Sequence, residues 1–452
     1  MKEFGDAEAE RLAAALKSNT NLKHISASGH RLSNNALQTL GQAIAVQGRI
    51  QSVAIGDSSM GDEGVKSFCS SFEHCDNQLG IIEFGRLVEL DFSKKGLHDG
   101  SGFGIMGRSF AFSKTLQKVN ISQNSSSLDV NVAEFSKHAL AVARSQPNSV
   151  LFPNLKQLDL SDTSTGPTGL HSLVELLMSP MHCKYENILI LNLANNPLIG
   201  SNPYCLDRIA YLICCSQRIR SLNLSKCQIN DEGMMALLAV PEMDYSNVES
   251  LELLDLSDNI FGVLGANRLA KALKSSSSDD ELHTSCNLSA LKKINLAGNP
   301  LTDIGVLSIA SALYSAENIG GNDTLKIIDL SRTGCALNGA INILLCSKIK
   351  SLRLFDNKLG DEGFIGLAPL LKSGNACLEH IDLGGNSAKA SAVNILLRSL
   401  LGSKEGVNSR SSLLNTLELG GNEIDAEGED LIQMLLLENS SLDIARDRPL
   451  SH

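Results

Sequence analysis

The chain has 452 residues and a formal charge of −11, with 43% hydrophobic and only 4% aromatic residues and no Trp. That balance describes a folded protein with an aliphatic core, and it excludes charge-driven binding to nucleic acid or anionic lipid, both of which need a basic surface. No apolar run approaches the roughly 18 residues that span a bilayer, and Met1–Glu10 is charged where a secretion signal would be apolar. The expected location is intracellular, cytoplasmic or nuclear. Eleven Cys without one Cys-x-x-Cys pair point to reduced, mostly buried thiols, not to disulfides or a zinc site.

In chain order, Asp6–Asn19 (DAEAERLAAALKSN) reads as a helix, so residues 1–21 are expected to form a cap or a half-unit without its strand. From Leu22 onward one pattern recurs. It runs apolar, two free positions, apolar, one free, apolar, two free, often Asn, one free, apolar. Weaker copies begin at Leu22, Ile50, Leu87, Leu116 and Leu155. Clean ones follow at Ile188 (ILILNLANNPL), Ile219 (IRSLNLSKCQI), Leu251 (LELLDLSDNIF) and Leu291 (LKKINLAGNPL). A weaker copy at Leu325 precedes a clean one at Ile349 (IKSLRLFDNKL), then a weaker one at Leu378 and a clean one at Leu414 (LNTLELGGNEI). About thirteen units thus occupy residues 22–441, and residues 442–452 hold a half-unit starting at Leu442 and a tail.

Each part of the pattern has a physical role. The alternation in Leu254-Asp255-Leu256 has the period of a short strand with one buried face. Asn at 196, 259, 299, 357, 386 and 422 sits where the chain leaves the strand, and its amide can bond backbone groups that the ended strand leaves open. Cys227, Thr163 and Thr333 take that place in other units. Gly61–Gly64, Asn230–Gly233 and Gly360–Gly363 then put acids at a helix start. Apolar residues at helical spacing follow, such as Ile304, Leu307, Ile309 and Leu313, or Met235, Leu237 and Leu238. Longer units carry polar insertions at Cys75–Gly80, Ser145–Pro153, Met181–Asn187, Ser275–Asn287 and Gly402–Ser412, expected on one edge. The predicted architecture is an α/β solenoid, a horseshoe with a parallel concave sheet and convex helices.

This pattern resembles the ribonuclease-inhibitor-like class of leucine-rich repeats, shared by ribonuclease inhibitor, the GTPase activator of Ran, NOD-like receptors and CARMIL-type actin regulators. The resemblance covers roughly residues 6 to 441 and implies binding of another protein through the repeat surface. A scaffold or adaptor, using the concave face or the edge loops, is the leading expectation. The alternatives are a GTPase-activating regulator of a small GTPase and the sensor region of a larger receptor. The Ran activator's family typically has a strongly acidic tail, whereas here the sequence reads Ala445-Arg446-Asp447-Arg448-Pro449-Leu450.

No enzyme, cofactor or metal is expected. Phosphate-loop, His-Glu-x-x-His and Gly-x-Ser-x-Gly motifs are all missing. Gly96–Gly107 reads as a turn leading into a helix, and His74-Cys75-Asp76 and His182-Cys183 read as loop residues. The exposed columns of the sheet are more informative. Between the second and third apolar residues they read Asp91, Asn120, Asp159, Asn192, Asn223, Asp255, Asn295, Asp329, Arg353, Asp382 and Glu418. Just after the third apolar residue every entry from Ser93 to Gly420 is Ser, Ala or Gly, except Phe355. Arg353 and Phe355 therefore stand out, with Lys326, Arg332, Lys350, Asp356, Glu379 and His380 around them. Aromatic and Arg residues are what interface hot spots favour, so these residues are the candidate partner site, suited to an acidic or apolar protrusion. The other reading of Phe355 is a ring folded sideways onto a neighbouring strand.

Overall fold

The computed structural model describes residues 4–73, 86–145, 149–179, 189–239, 250–274, 286–314, 322–346, 348–373, 377–401 and 414–446. His74, Cys75, Asp76, His182, Cys183 and most of the expected insertions lie outside these residues. The chain divides into two compact units, Met1–Cys227 and Gln228–His452.

In the first unit, seven strands pair in parallel and in chain order: β1 (His24–Ser28), β2 (Ser52–Gly56), β3 (Glu89–Asp91), β4 (Lys118–Asn120), β5 (Gln157–Asp159), β6 (Leu189–Asn192) and β7 (Ile219–Asn223). Helices α1 (Asp6–Leu16), α2 (Asn34–Gln47), α3 (Gly61–Glu73), α4 (Ser101–Phe110), α5 (Asn131–Ser145), α6 (Pro167–Met178), the single turn α7 (Pro197–Gly200) and α8 (Pro203–Cys215) form the second layer.

The second unit repeats the plan with β8 (Leu253–Asp255), β9 (Lys293–Asn295), β10 (Ile327–Asp329), β11 (Ser351–Arg353), β12 (His380–Asp382), β13 (Thr416–Glu418) and β14 (Asp443–Ala445). Its helices are α9 (Asp231–Leu237), α10 (Val263–Leu273), α11 (Thr302–Leu313), α12 (Leu337–Leu344), α13 (Gly360–Ser373), α14 (Ala390–Leu400) and α15 (Ala426–Glu438). The half-unit at Leu442 does form a strand, β14, so fourteen strands stand among the described residues where thirteen units were counted.

The pattern's apolar positions make the core. Leu191, Leu193, Leu222 and Leu224 in the first unit, and Leu254, Leu256, Ile294 and Leu296 in the second, are all fully buried. Helices α9 and α11 form where the helical spacing predicts them, but the first apolar residue cited for each faces outward. Ile304 is 63% and Met235 50% exposed, while Val306, Ile309, Met234 and Leu237 are buried. The expected spacing picked the outer flank of each helix for its first apolar contact.

The asparagines form the expected ladder. The Asn196 amide donates to the carbonyls of Leu193 (2.9 Å) and Leu160 (3.0 Å), and its oxygen accepts the N–H groups of Thr165 (2.8 Å) and Thr163 (3.1 Å). Asn299 and Asn386 make the corresponding donor pairs. Thr163 and Thr333 cover only the carbonyl of their own strand, each at 2.7 Å. One rung is a lysine: Lys95 is buried, and its Nζ donates to the Gly56 carbonyl and Ser28 Oγ, both at 2.9 Å. Burial holds that ammonium below its ordinary pKa. Asn196→Ala would strip the Thr163 and Thr165 N–H groups of their acceptor in a dry site. A loss of about 3 kcal/mol is expected, read as a lowered urea midpoint.

The helix-start acids do more than face a dipole. Asp62 accepts from the N–H groups of His98 (2.8 Å) and Gly102 (2.9 Å), at the start of α4, the next helix. Asp129 does the same for Gly166 (2.8 Å) and Gly169 (3.0 Å) at α6. Asp231 serves Gly262 and Gly265 at α10, and Asp303 serves Ala336 and Gly339 at α12. Each carboxylate satisfies donors that its neighbour's first turn leaves open.

Candidate functional site

The sheet faces away from the helices, and most of its exposed columns are occupied with their own support. Each Asp or Asn of the first column turns one oxygen back onto the N–H two residues later. Asp91 accepts from Ser93 at 2.9 Å, Asp255 from Ser257 at 2.9 Å and Asp329 from Ser331 at 3.0 Å. The second carboxylate oxygen is met from the next strand: Asn192 donates to Asp159 at 3.0 Å and Asn295 to Asp255 at 3.1 Å. This column is turn-capping and strand-linking structure, which is why short acids and amides fill it.

Arg353 occupies the same column on β11 and cannot accept. Its guanidinium lies 3.7 Å from Asp329 on β10, standing where a neighbouring Asn would stand, with its side chain about half exposed. Phe355, just past β11, is half-buried. A Cβ added at Gly384 or Gly385 would come within 3.1 or 3.0 Å of the Phe355 ring, so the ring lies on the glycines that follow β12. Phe355 therefore leans sideways across the face, and these two glycines are what allow it.

The other candidates are close by, yet most are engaged. The Arg332 guanidinium reaches Asp258 at 2.9 Å, Lys350 pairs with Glu379 at 2.6 Å, and His380 Nε2 lies 3.5 Å from Glu418. Lys326 donates to the Asp323 carbonyl at 2.8 Å. Asp356 is exposed, with a left-handed backbone at φ 52°. The cations thus do not form a free basic patch around Phe355, and their charges are largely answered within the unit.

A third exposed column lies just before the second apolar residue, and of it the sequence pattern singles out His380 alone. It places Leu253, Lys293, Ile327, Ser351, His380 and Thr416 side by side in register. Lys293 is exposed, and Ile327 is 37% exposed. The signal was available, because the repeat spacing fixes this column as firmly as the other two.

Among the described residues, no group of three His, Cys, Asp or Glu is arranged to hold a metal, and no helix is long and apolar enough to cross a membrane. The nine described cysteines are free thiols.

The Leucine Rich repeat family model matches residues 216–238, 288–310 and 345–368. The Homo sapiens protein "NACHT, LRR and PYD domains-containing protein 5" is 23% identical over 290 residues, which take in 64% of this chain and 21% of that protein. Sus scrofa ribonuclease inhibitor is 25% identical over 312 residues, 64% of this chain and 63% of the inhibitor. The chain therefore spans less than two thirds of the length of either relative. Among solved structures, a chain of the yeast Rad7 and Elc1 complex is similar at 14% identity and a TM-score of 0.45, covering 94% of this chain and 90% of that one. With strand, ladder residue and helix recurring in that order through both units, this chain has the leucine-rich-repeat fold, and its repeats are similar to those of ribonuclease inhibitor.

Proposed function

We propose that the chain is a protein-binding scaffold and that its second unit engages the partner through the sheet face around Arg353 and Phe355. The observation that carries this reading is the break in both self-capping columns on one strand. From β3 to β13 these two columns otherwise hold Asp, Asn, Ser, Ala, Gly and one Glu, mostly bonding their own turn, and among the described strands only β11 presents a guanidinium with a ring just past its end. A half-exposed aromatic beside an Arg is the composition that dominates binding energy at interfaces.

The test starts with affinity purification and mass spectrometry to identify a partner, followed by calorimetric titration. Phe355→Ala and Arg353→Ala are each expected to weaken binding by roughly 2 kcal/mol, about thirtyfold. Ile190→Ala, on the sheet face of the first unit, should leave affinity unchanged. Thermal melting of all three should stay near that of the parent protein. Equal affinities would place the interface elsewhere.

A further inference from the structure

The free positive charge on this face is not where the unusual residues are. On the second unit's sheet, Lys292 is bonded to Glu252 at 2.8 Å, Lys350 to Glu379 at 2.6 Å and Arg332 to Asp258 at 2.9 Å, and Arg353 lies beside Asp329. Two ammonium groups remain. Lys293 on β9 is exposed; its N–H donates to the Glu252 carbonyl at 3.0 Å, while its ammonium has no hydrogen-bond or ion-pair partner among the described residues. Lys326, the residue before β10, has its ammonium bonded only to a carbonyl, that of Asp323, whose carboxylate is taken by Lys348 at 2.5 Å. Ile327 lies directly after Lys326 and in register with Lys293, with its side chain 37% exposed, and half-buried Leu253 flanks Lys293 on the other side.

We infer that this Lys293–Ile327–Lys326 surface receives an acidic segment of the partner that carries an aliphatic side chain between its carboxylates. The inference rests on the reading that the sheet face of this unit binds protein. Two uncompensated cations on a chain of net charge −11 attract carboxylates and repel cations, so complementarity selects the sign of the partner. Lys293 on β9 and Lys326, one strand over and one residue earlier in register, flank Ile327. On an extended chain every second side chain shares a face at about 6.8 Å spacing, so an acid, an aliphatic residue two further on and an acid two beyond that present the sequence carboxylate, apolar, carboxylate to this surface. The exposed isoleucine gives that peptide an apolar contact, which charge alone lacks.

The probe is a fluorescein-labelled peptide, Gly-Glu-Asp-Leu-Asp-Glu-Gly, titrated by anisotropy. Its control has Lys in place of every acid. The acidic peptide is expected to bind and the basic one not. Lys293→Glu with Lys326→Glu should weaken binding at least fivefold at an unchanged melting temperature, while Lys293→Arg with Lys326→Arg should retain it. Raising salt from about 50 to about 300 mM should weaken binding in the parent protein. Failure of the acidic peptide to bind, equal binding by the charge-reversed variant, or tighter binding of a single-stranded oligonucleotide would each overturn the inference. Phe355→Ala and Arg353→Ala, read in the same titration, separate the two ideas. If they weaken the peptide and charge reversal does not, the sheet face still binds protein and only this location is wrong. If neither pair matters to a peptide that binds, both readings fall.

Discussion

Leu296→Asp is expected to destabilise the second unit by several kcal/mol. Leu296 follows β9, is fully buried, and sits level with Leu256 and Leu330, which are also fully buried. Its own N–H is spent on the Asp329 carbonyl at 2.9 Å, so the backbone cannot turn the side chain outward without giving up a rung. A carboxylate placed there has no cation in the dry layer, and the cost is several kcal/mol. For a unit of this size each kcal/mol moves the melting temperature by about 2–4 °C, so a drop on the order of 10 °C is expected. Lys293→Asp, three residues earlier on the solvent side of the same strand, should change stability by no more than about 0.5 kcal/mol. A strand slipped by one residue would reverse the two results, because every side chain would change face.

The second large effect is loss of stability at alkaline pH. Burial pushes the thiols of Cys205, Cys227, Cys335 and Cys346 up to about 12, from 9.0 for an ordinary thiol. Between those values the unfolded chain has released protons that the folded chain keeps, so unfolding is favoured as pH rises. The stabilising contribution is complete below about pH 9 and is lost progressively above it. Each well-buried thiol costs on the order of 1 kcal/mol per pH unit in that window. Lys95 pulls the other way, since its depressed pKa makes the folded state relatively better as the ammonium deprotonates, but it is one group against four. Denaturant midpoints at pH 8 and pH 10.5 should therefore differ strongly. The triple variant Cys227→Ala, Cys335→Ala, Cys346→Ala should show a flatter profile, and a flat profile in the parent protein would contradict the burial of these thiols.

The parts of the fold that the sequence made legible are those governed by period and by obligatory hydrogen bonding. Leu254-Asp255-Leu256 could only be a half-buried strand, and the six asparagines could only be useful where strands end. Lys95 escaped notice because a lysine in a ladder position looks like a surface residue. Its role depends on two strands, β1 and β2, whose own rungs supply no amide there. Ile304 and Met235 lie at helical spacing yet face outward, because that spacing fixes a stripe but not which flank of it meets the sheet. Asp62 and Asp231 were rightly placed at helix starts, yet their bonding partners lie some 31 to 40 residues further on, a distance no local pattern reveals. At the candidate site, the oddity of Arg353 and Phe355 was visible as a break in two columns. The direction of the Phe355 ring was not, because it is set by Gly384 and Gly385 on the following repeat, and the pairing of each cation with an acid is a matter of reach across strands.

The aspartates that complete the first turn of the following helix also govern where the chain can be cut or shortened. A segment begun between Asp231 and α10 would keep every residue of that helix and still leave Gly262 and Gly265 with bare N–H groups, so its first turn should fray. One begun before α9 carries its own cap forward. Donor and recipient helices alternate here, α9 serving α10 and α11 serving α12, so an excision that keeps each cap intact runs from one aspartate to the next and removes two repeats at once. Expression boundaries and evolutionary losses should share that frame, set by the donor of the cap and not by the ends of the helices.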